Sequence, residues 1–276
     1  MTRLTTLARA VDPRIPSHRV VLLISGIAAA AAWGLAPDGD GVRLALNAGV
    51  ASFLAWAIGR ELDPDRPNAA AVAAVLAGIA IITVGEALLF PTLLALLAIR
   101  VLHRSTGLPP TLFDLIALPG AAFAGASSTI GWTAGLALAF AVARDHRLPD
   151  PAPRRQLAAA FFIASAATAG ALISGSPDDW TAPAAGQAIV LAVGVFAGLS
   201  MRIYEPRSVA DHTGGLLIAR RLQSARVGAI GAGLLAAAVG GGAGIAALIP
   251  LWAAIAGVAA WDRVGPDQVS YSERTR

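Results

Sequence analysis

From residue 20 to residue 261 the chain alternates apolar stretches with short polar breaks. The apolar runs cover 20–36, 42–59, 69–84, 91–102, 111–126, 128–143, 156–174, 183–201, 227–239 and 245–261. A backbone crossing lipid must satisfy its own hydrogen bonds, which leaves helices as the natural reading of such runs. The pattern predicts an all-α, polytopic transmembrane bundle of about ten short helices. Several runs fall below the ~20 residues that cross a ~30 Å hydrocarbon core.

Two stretches, 69–102 and 227–261, are nearly unbroken. Read as single helices, each would be about 50 Å long at 1.5 Å per residue, and eight spans would result. Turns at 85–91 and 240–244, where Gly and Pro gather, divide them into hairpins and give ten.

Arginine placement favours ten and orients the chain. All 21 basic residues are Arg, and Lys is absent. With the N-terminus in the cytoplasm, alternate breaks collect Arg60 and Arg66, Arg100 and Arg104, Arg144 to Arg155, Arg202 to Arg226, then Arg263, Arg274 and Arg276. Only Arg43 falls at an outer end; the outer breaks carry Asp38, Asp40, Glu86, Asp178 and Asp179. This is the positive-inside pattern. It predicts a multi-pass protein of the cell (plasma) membrane with both termini cytoplasmic. The divisions are a cytoplasmic segment 1–19, one transmembrane domain 20–263 and a cytoplasmic tail 264–276. A basic start before an Ala-rich run is also loosely compatible with a cleaved signal peptide. Removing that helix would invert the charge pattern, so a retained first helix is expected.

Composition agrees. The chain of 276 residues is 56% hydrophobic and 14% charged, against about a quarter charged in soluble domains. No cysteine is present, which excludes disulfides and thiolate chemistry. The Arg residues punctuate apolar runs instead of clustering on one solvated face, so no nucleic-acid partner is expected. Membrane lipids and a small-molecule or lipid-like substrate are the expected partners. Oligomeric state is not legible.

Two local matches point to an internal repeat. Arg60-Glu61-Leu62-Asp63-Pro64 and Arg202-Ile203-Tyr204-Glu205-Pro206 both read Arg-x-x-acid-Pro. Phe90-Pro91 with His103-Arg104 matches Ile249-Pro250 with Asp262-Arg263 at the same interval. Helices one to four (20–104) would then recur as helices seven to ten (156–263), with connecting helices at 111–144. This 4+2+4 plan gives parallel repeats, which some transporters use.

Candidate chemistry concentrates at the cytoplasmic breaks. Arg60, Glu61, Asp63, Asp65 and Arg66 form the densest polar cluster; Arg202, Glu205, Arg207, Asp211 and His212 form the matching one. Carboxylates could hold Mg²⁺ and guanidiniums an anion. The plainer expectation is structural: the Arg residues anchor topology, Asp63-Pro64 ends a helix, and Asp65 or Asn68 caps the next. The stretch 216–226 reads as basic and amphipathic, able to lie in the interface. Asn47, Glu86, Asp114, Thr133 and Gln187 are candidates for polar positions along a pathway, with interhelical hydrogen bonding as their structural reading. No metal motif, nucleophile elbow or nucleotide fingerprint occurs.

Three functions are weighed. The first is a transporter-like protein for a neutral, apolar or lipid-like solute, since buried charge for ion coupling is scarce. The second is a membrane-embedded enzyme acting on a lipid or prenyl pyrophosphate with Mg²⁺. The placement of 61–65 and 205–211 resembles that of the acidic loops of the membrane prenyltransferase superfamily. The resemblance covers little else, and the Asn/Asp-Asp-x-x-Asp pattern is missing. The third is a non-catalytic scaffold or accessory subunit.

Overall fold

A computed structural model describes residues 4–36, 39–85, 87–176 and 184–264. It is all-helical apart from one isolated β-bridge. Ten helices follow in order: α1 (Pro16–Leu35), α2 (Gly41–Leu62), α3 (Pro67–Val84), α4 (Leu89–His103), α5 (Leu112–Gly125), α6 (Thr129–Asp145), α7 (Arg155–Ser174), α8 (Ala185–Leu199), α9 (Ala219–Ala247) and α10 (Ile249–Val264). Their boundaries lie within a few residues of the apolar runs, except that α9 begins eight residues early and ends eight residues late.

Local chemistry sets the ends. Pro16 and Pro67 open α1 and α3, positions where a missing N–H costs nothing. Thr111 and Asp114 form a reciprocal capping box at α5. Gly85, at φ 111°, ends α3, and Gly241, at φ 52°, breaks α9. Both are left-handed positions that favour glycine, and each lies in a turn expected from sequence. The Asp65 or Asn68 cap does not form: Arg66 occupies the N-cap of α3 and no side chain caps it.

Five helices (α1, α2, α3, α7 and α9) are long and apolar enough to cross a membrane. The others have 14 to 17 residues, or about 21–26 Å. The outer surface is apolar, with Phe161, Phe162, Ile189, Val193 and Phe196 all more than 60% exposed. The interior is built from small residues. A Cβ on Gly257 of α10 would lie 2.7 Å from the backbone nitrogen of Ala73 in α3, and one on Gly59 would lie 3.0 Å from Ala70. Close backbone approach of this kind joins helices where lipid removes the hydrophobic drive.

Successive helices run alternately out and back. The end of each return helix (α2, α4, α6, α8, α10) and the start of each outgoing one meet at one end of the bundle, here called the polar end. The contacts that define it are Glu61 with Arg100, Arg104 with Asp145, and Arg202 with Asp262. Residues 4–15 also bind there, so both ends of the described chain reach the same side. The stretches 67–103 and 219–264 are hairpins, as the ten-helix reading requires.

The neighbours of the two expected repeat copies differ. α1 packs on α2 and α3, whereas α7 packs chiefly on α5 and α6. Helix packing therefore lends the 4+2+4 plan no support.

Candidate functional site

Buried charge at the polar end is organised into three clusters. In the first, Glu61, at the last turn of α2 and fully buried, binds Arg9 at 3.3 Å, Arg100 at 3.1 Å and His103 at 3.0 Å. Arg9 also pairs with Asp211. Arg100 donates to the carbonyl of Leu7 at 2.7 Å, which ties the N-terminal segment to α4.

The second cluster joins the two Arg-x-x-acid-Pro ends. Tyr204 donates to Asp63 at 2.6 Å, and Arg66 reaches Asp63 at 2.7 Å and Asp262. Arg66 and Arg226 both lie over the Tyr204 ring, 5.7 and 5.3 Å from its centroid. Burial works against both members of the Asp63–Arg66 pair. It prevails at Asp63, whose carboxyl rises above its ordinary range despite Tyr204 and Arg66. At Arg66 it is outweighed by Asp63 and Asp262, and the guanidinium is raised. Burial, and then the Asp63 charge, push the Tyr204 phenol far up, so it stays protonated and donates.

The third cluster was not singled out from sequence. Asp145, fully buried, binds Arg104 at 3.0 Å and Arg221 at 2.7 Å; Arg104 also binds Asp150 at 2.8 Å. Arg221 completes its fork on the carbonyls of Pro149, Asp150 and Leu102. Arg221 and Arg226 are thus buried, so of the arginines in the stretch 216–226 Arg220 is the one left exposed.

The loop between α8 and α9 folds as a small hairpin through the Val209–Leu216 bridge. The backbone nitrogens of Asp211 and His212 donate to the carbonyls of Ser105 and Thr106, each at 3.1 Å. Gly107 is required beneath it: its φ is +82°, and a Cβ there would strike Thr213. Asp65 accepts from the nitrogens of Arg207 and Ser208 at 2.9 and 2.8 Å. Both predicted loops therefore meet, with Asp65 bridging between them instead of capping α3.

The ten predicted cytoplasmic-face residues divide between two cavities. Arg60, Glu61, Asp211 and His212 line one of about 730 Å³, together with Phe53, Trp56, Leu93 and Leu96 and with residues of the segment 4–18. Asp65, Arg66, Arg202, Glu205 and Arg207 line the other, of about 660 Å³. Asp63 lies fully buried beside the second, on Arg66 and Tyr204. Glu61 and Asp63 already face cations, and among the described residues no three His, Asp or Glu side chains converge as a metal site requires.

Comparison with protein-family models, curated proteins and solved structures returns no match.

The expected pathway residues are not brought together. Asn47 bonds both the nitrogen and the carbonyl of Ala87, at 3.0 and 2.9 Å, closing α2 on the turn before α4. Asp114 holds Thr5, Thr6 and Thr111. Thr133 donates to Ile130 in its own helix, and Gln187 accepts from the nitrogen of Ala184. Asn47 and Asp114 bond distant segments, whereas Thr133 and Gln187 bond within or beside their own helices instead of between helices. Glu86 lies outside the described residues, as does the tail from 265.

Proposed function

We propose that this is a multi-pass protein of the plasma membrane, with both termini cytoplasmic, that handles a lipid-like amphiphile at its polar end in a transporter-like manner. The cavity under the N-terminal segment carries this reading. Its apolar wall, Phe53, Trp56, Leu93 and Leu96, faces a rim of Arg60, Asp211 and His212, the pairing that an apolar tail and a polar head require. Its volume of about 730 Å³ falls in the range of small-molecule pockets, ~300–1,000 Å³. The orientation rests on the Arg distribution, and the parallel repeats on the two sequence matches.

The enzyme reading draws on one different observation: Arg66, Arg202 and Arg207 surround the neighbouring cavity, a set suited to phosphate. Mg²⁺ belongs to that reading alone.

The test is flux of a short-chain fluorescent lipid across phosphatidylcholine liposomes containing the protein. Leu93→Trp, which fills the first cavity, is expected to lower flux at least fivefold. Unchanged flux in that variant would remove the transport reading. Stabilisation by geranylgeranyl pyrophosphate that requires Mg²⁺ and is lost in Arg202→Gln would favour the enzyme instead.

A further inference from the structure

A third cavity, of about 710 Å³, runs along the outside of the bundle between α4, α6 and α9. Its α9 side is Arg220, Ser224, Val227, Gly231 and Leu235, spaced three or four residues apart and so on one helix face. Its α6 side is Leu136, Phe140 and Arg144, spaced four apart. Both sides end in an arginine at the polar end and continue, past Gln223 and Ser224 on α9, in apolar residues toward the other. Ala98 and Leu102 of α4 form the floor. Val227 and Phe140 are more than 60% exposed, which leaves the cleft open sideways, toward the bilayer.

The two arginines stand apart from their neighbours in sequence. Asp145 and Arg221, one residue on from Arg144 and Arg220, point inward and bind each other at 2.7 Å. Arg144 and Arg220 point the other way. Their side chains make no ion pair or hydrogen bond with any described residue. A pair of unsatisfied guanidiniums above an apolar cleft is complementary to a phosphate attached to a hydrocarbon chain.

The dimensions fit one leaflet. From Arg220 to Leu235 the helix rises about 22 Å, and half of a ~30 Å hydrocarbon core is about 15 Å. The cleft can therefore take an acyl chain along its whole leaflet while the phosphate stays level with the arginines. Glycine makes the room: a Cβ on Gly231 would meet no atom within 4 Å, so that position opens into the cleft.

We infer that this cleft is a binding site for an anionic phospholipid, its phosphate held by Arg144 and Arg220 and one acyl chain lying on α9. The site is separate from the cavity under the N-terminal segment and does not depend on how that cavity is used.

Native mass spectrometry of the purified, delipidated protein tests this with three probes: dioleoyl phosphatidylglycerol, dioleoyl phosphatidylcholine and glycerol 3-phosphate. Each arginine near a charged lipid surface is worth about fivefold, so the parent should hold phosphatidylglycerol about thirtyfold tighter than phosphatidylcholine. It should not retain glycerol phosphate. Arg144→Gln combined with Arg220→Gln should abolish the preference, while Arg147→Gln, an exposed arginine outside the cleft, should leave it intact. Gly231→Phe should lower binding of both lipids; Gly231→Leu serves if phenylalanine unfolds the bundle. Equal affinity of the parent for the two lipids would overturn the inference. So would undiminished phosphatidylglycerol binding with the cleft filled, or glycerol phosphate binding as tightly as the lipid.

Discussion

The two ends of this bundle are closed by different chemistry. At the polar end, helix termini are joined by buried ion pairs: Glu61 with Arg100, Arg66 with Asp262, and Asp145 with Arg104 and Arg221. At the opposite end, neutral groups do the same work. Asn47 bonds Ala87, Leu88 donates to the carbonyl of Ala247 at 3.0 Å, and Ser174 and Ser176 donate to the carbonyl of Ala126 at 3.1 Å. The one ion pair described there, Arg43 with Asp40, is exposed. Arginines gather at the polar end, among them Arg9, Arg66, Arg100, Arg104, Arg221 and Arg226. Where so many sit against packed helices, carboxylates accompany them, and among the described residues buried ion pairing joins helices on that side.

The largest test of this contrast is Asp145→Ala. It leaves Arg104 and Arg221 buried without a carboxylate between them, and breaking a buried pair costs about 3–5 kcal/mol. Thermal unfolding in detergent should show that loss, and a loss below 1 kcal/mol would mean that the pairing is incidental. Glu61→Gln should cost somewhat less, about 2–3 kcal/mol, because Arg9 and Arg100 retain access to water and a neutral acceptor remains.

At the other end, Asn47→Leu should cost about 1–3 kcal/mol by leaving both backbone groups of Ala87 unpaired, with no dependence on salt. Equal salt sensitivity of the Asn47 and Asp145 variants would erase the distinction between the ends. The pH response is smaller. Asp63 has a folded pKa raised by burial, so its contribution is fully present below the ordinary carboxylate range. That contribution is lost as pH climbs through the raised value. Asp63→Asn cannot ionise and should flatten that part of the stability profile. Smallest of all, Arg43→Gln should change stability by less than about 0.5 kcal/mol, as surface changes do.

Much of the helical plan was legible because lipid-facing helices write themselves in sequence as apolar runs, and their breaks as Gly, Pro and charge. Gly85 and Gly241 mark turns for a backbone reason visible in any context. The convergence of the loops carrying Asp63 and Tyr204 was also foreshadowed by their shared Arg-x-x-acid-Pro pattern. The pairings themselves were not legible. Which of several arginines meets Asp145 depends on α4, α6 and α9 being neighbours, and nothing local encodes that. His103 and Asp145 were passed over for the same reason. Each sits among arginines at the end of an apolar return helix, and that position was the available signal. Asn47, Asp114, Thr133 and Gln187 teach a different lesson. Polarity near lipid marks a need for a hydrogen-bond partner, and in each case the partner is part of the fold.

The seating of the N-terminal segment has a consequence for the order of synthesis. Thr6 binds Asp114, 108 residues further on, and Arg9 binds Asp211, about 200 residues later. At ~5–20 residues per second, Asp211 is made about 10–40 seconds after Arg9. Through that interval the segment gains its partners in turn, Glu61 first, then Arg100 and Asp114, and Asp211 last. This segment, made before the helices it touches, is therefore among the last to reach its final position, settling on the cavity after those helices are in place.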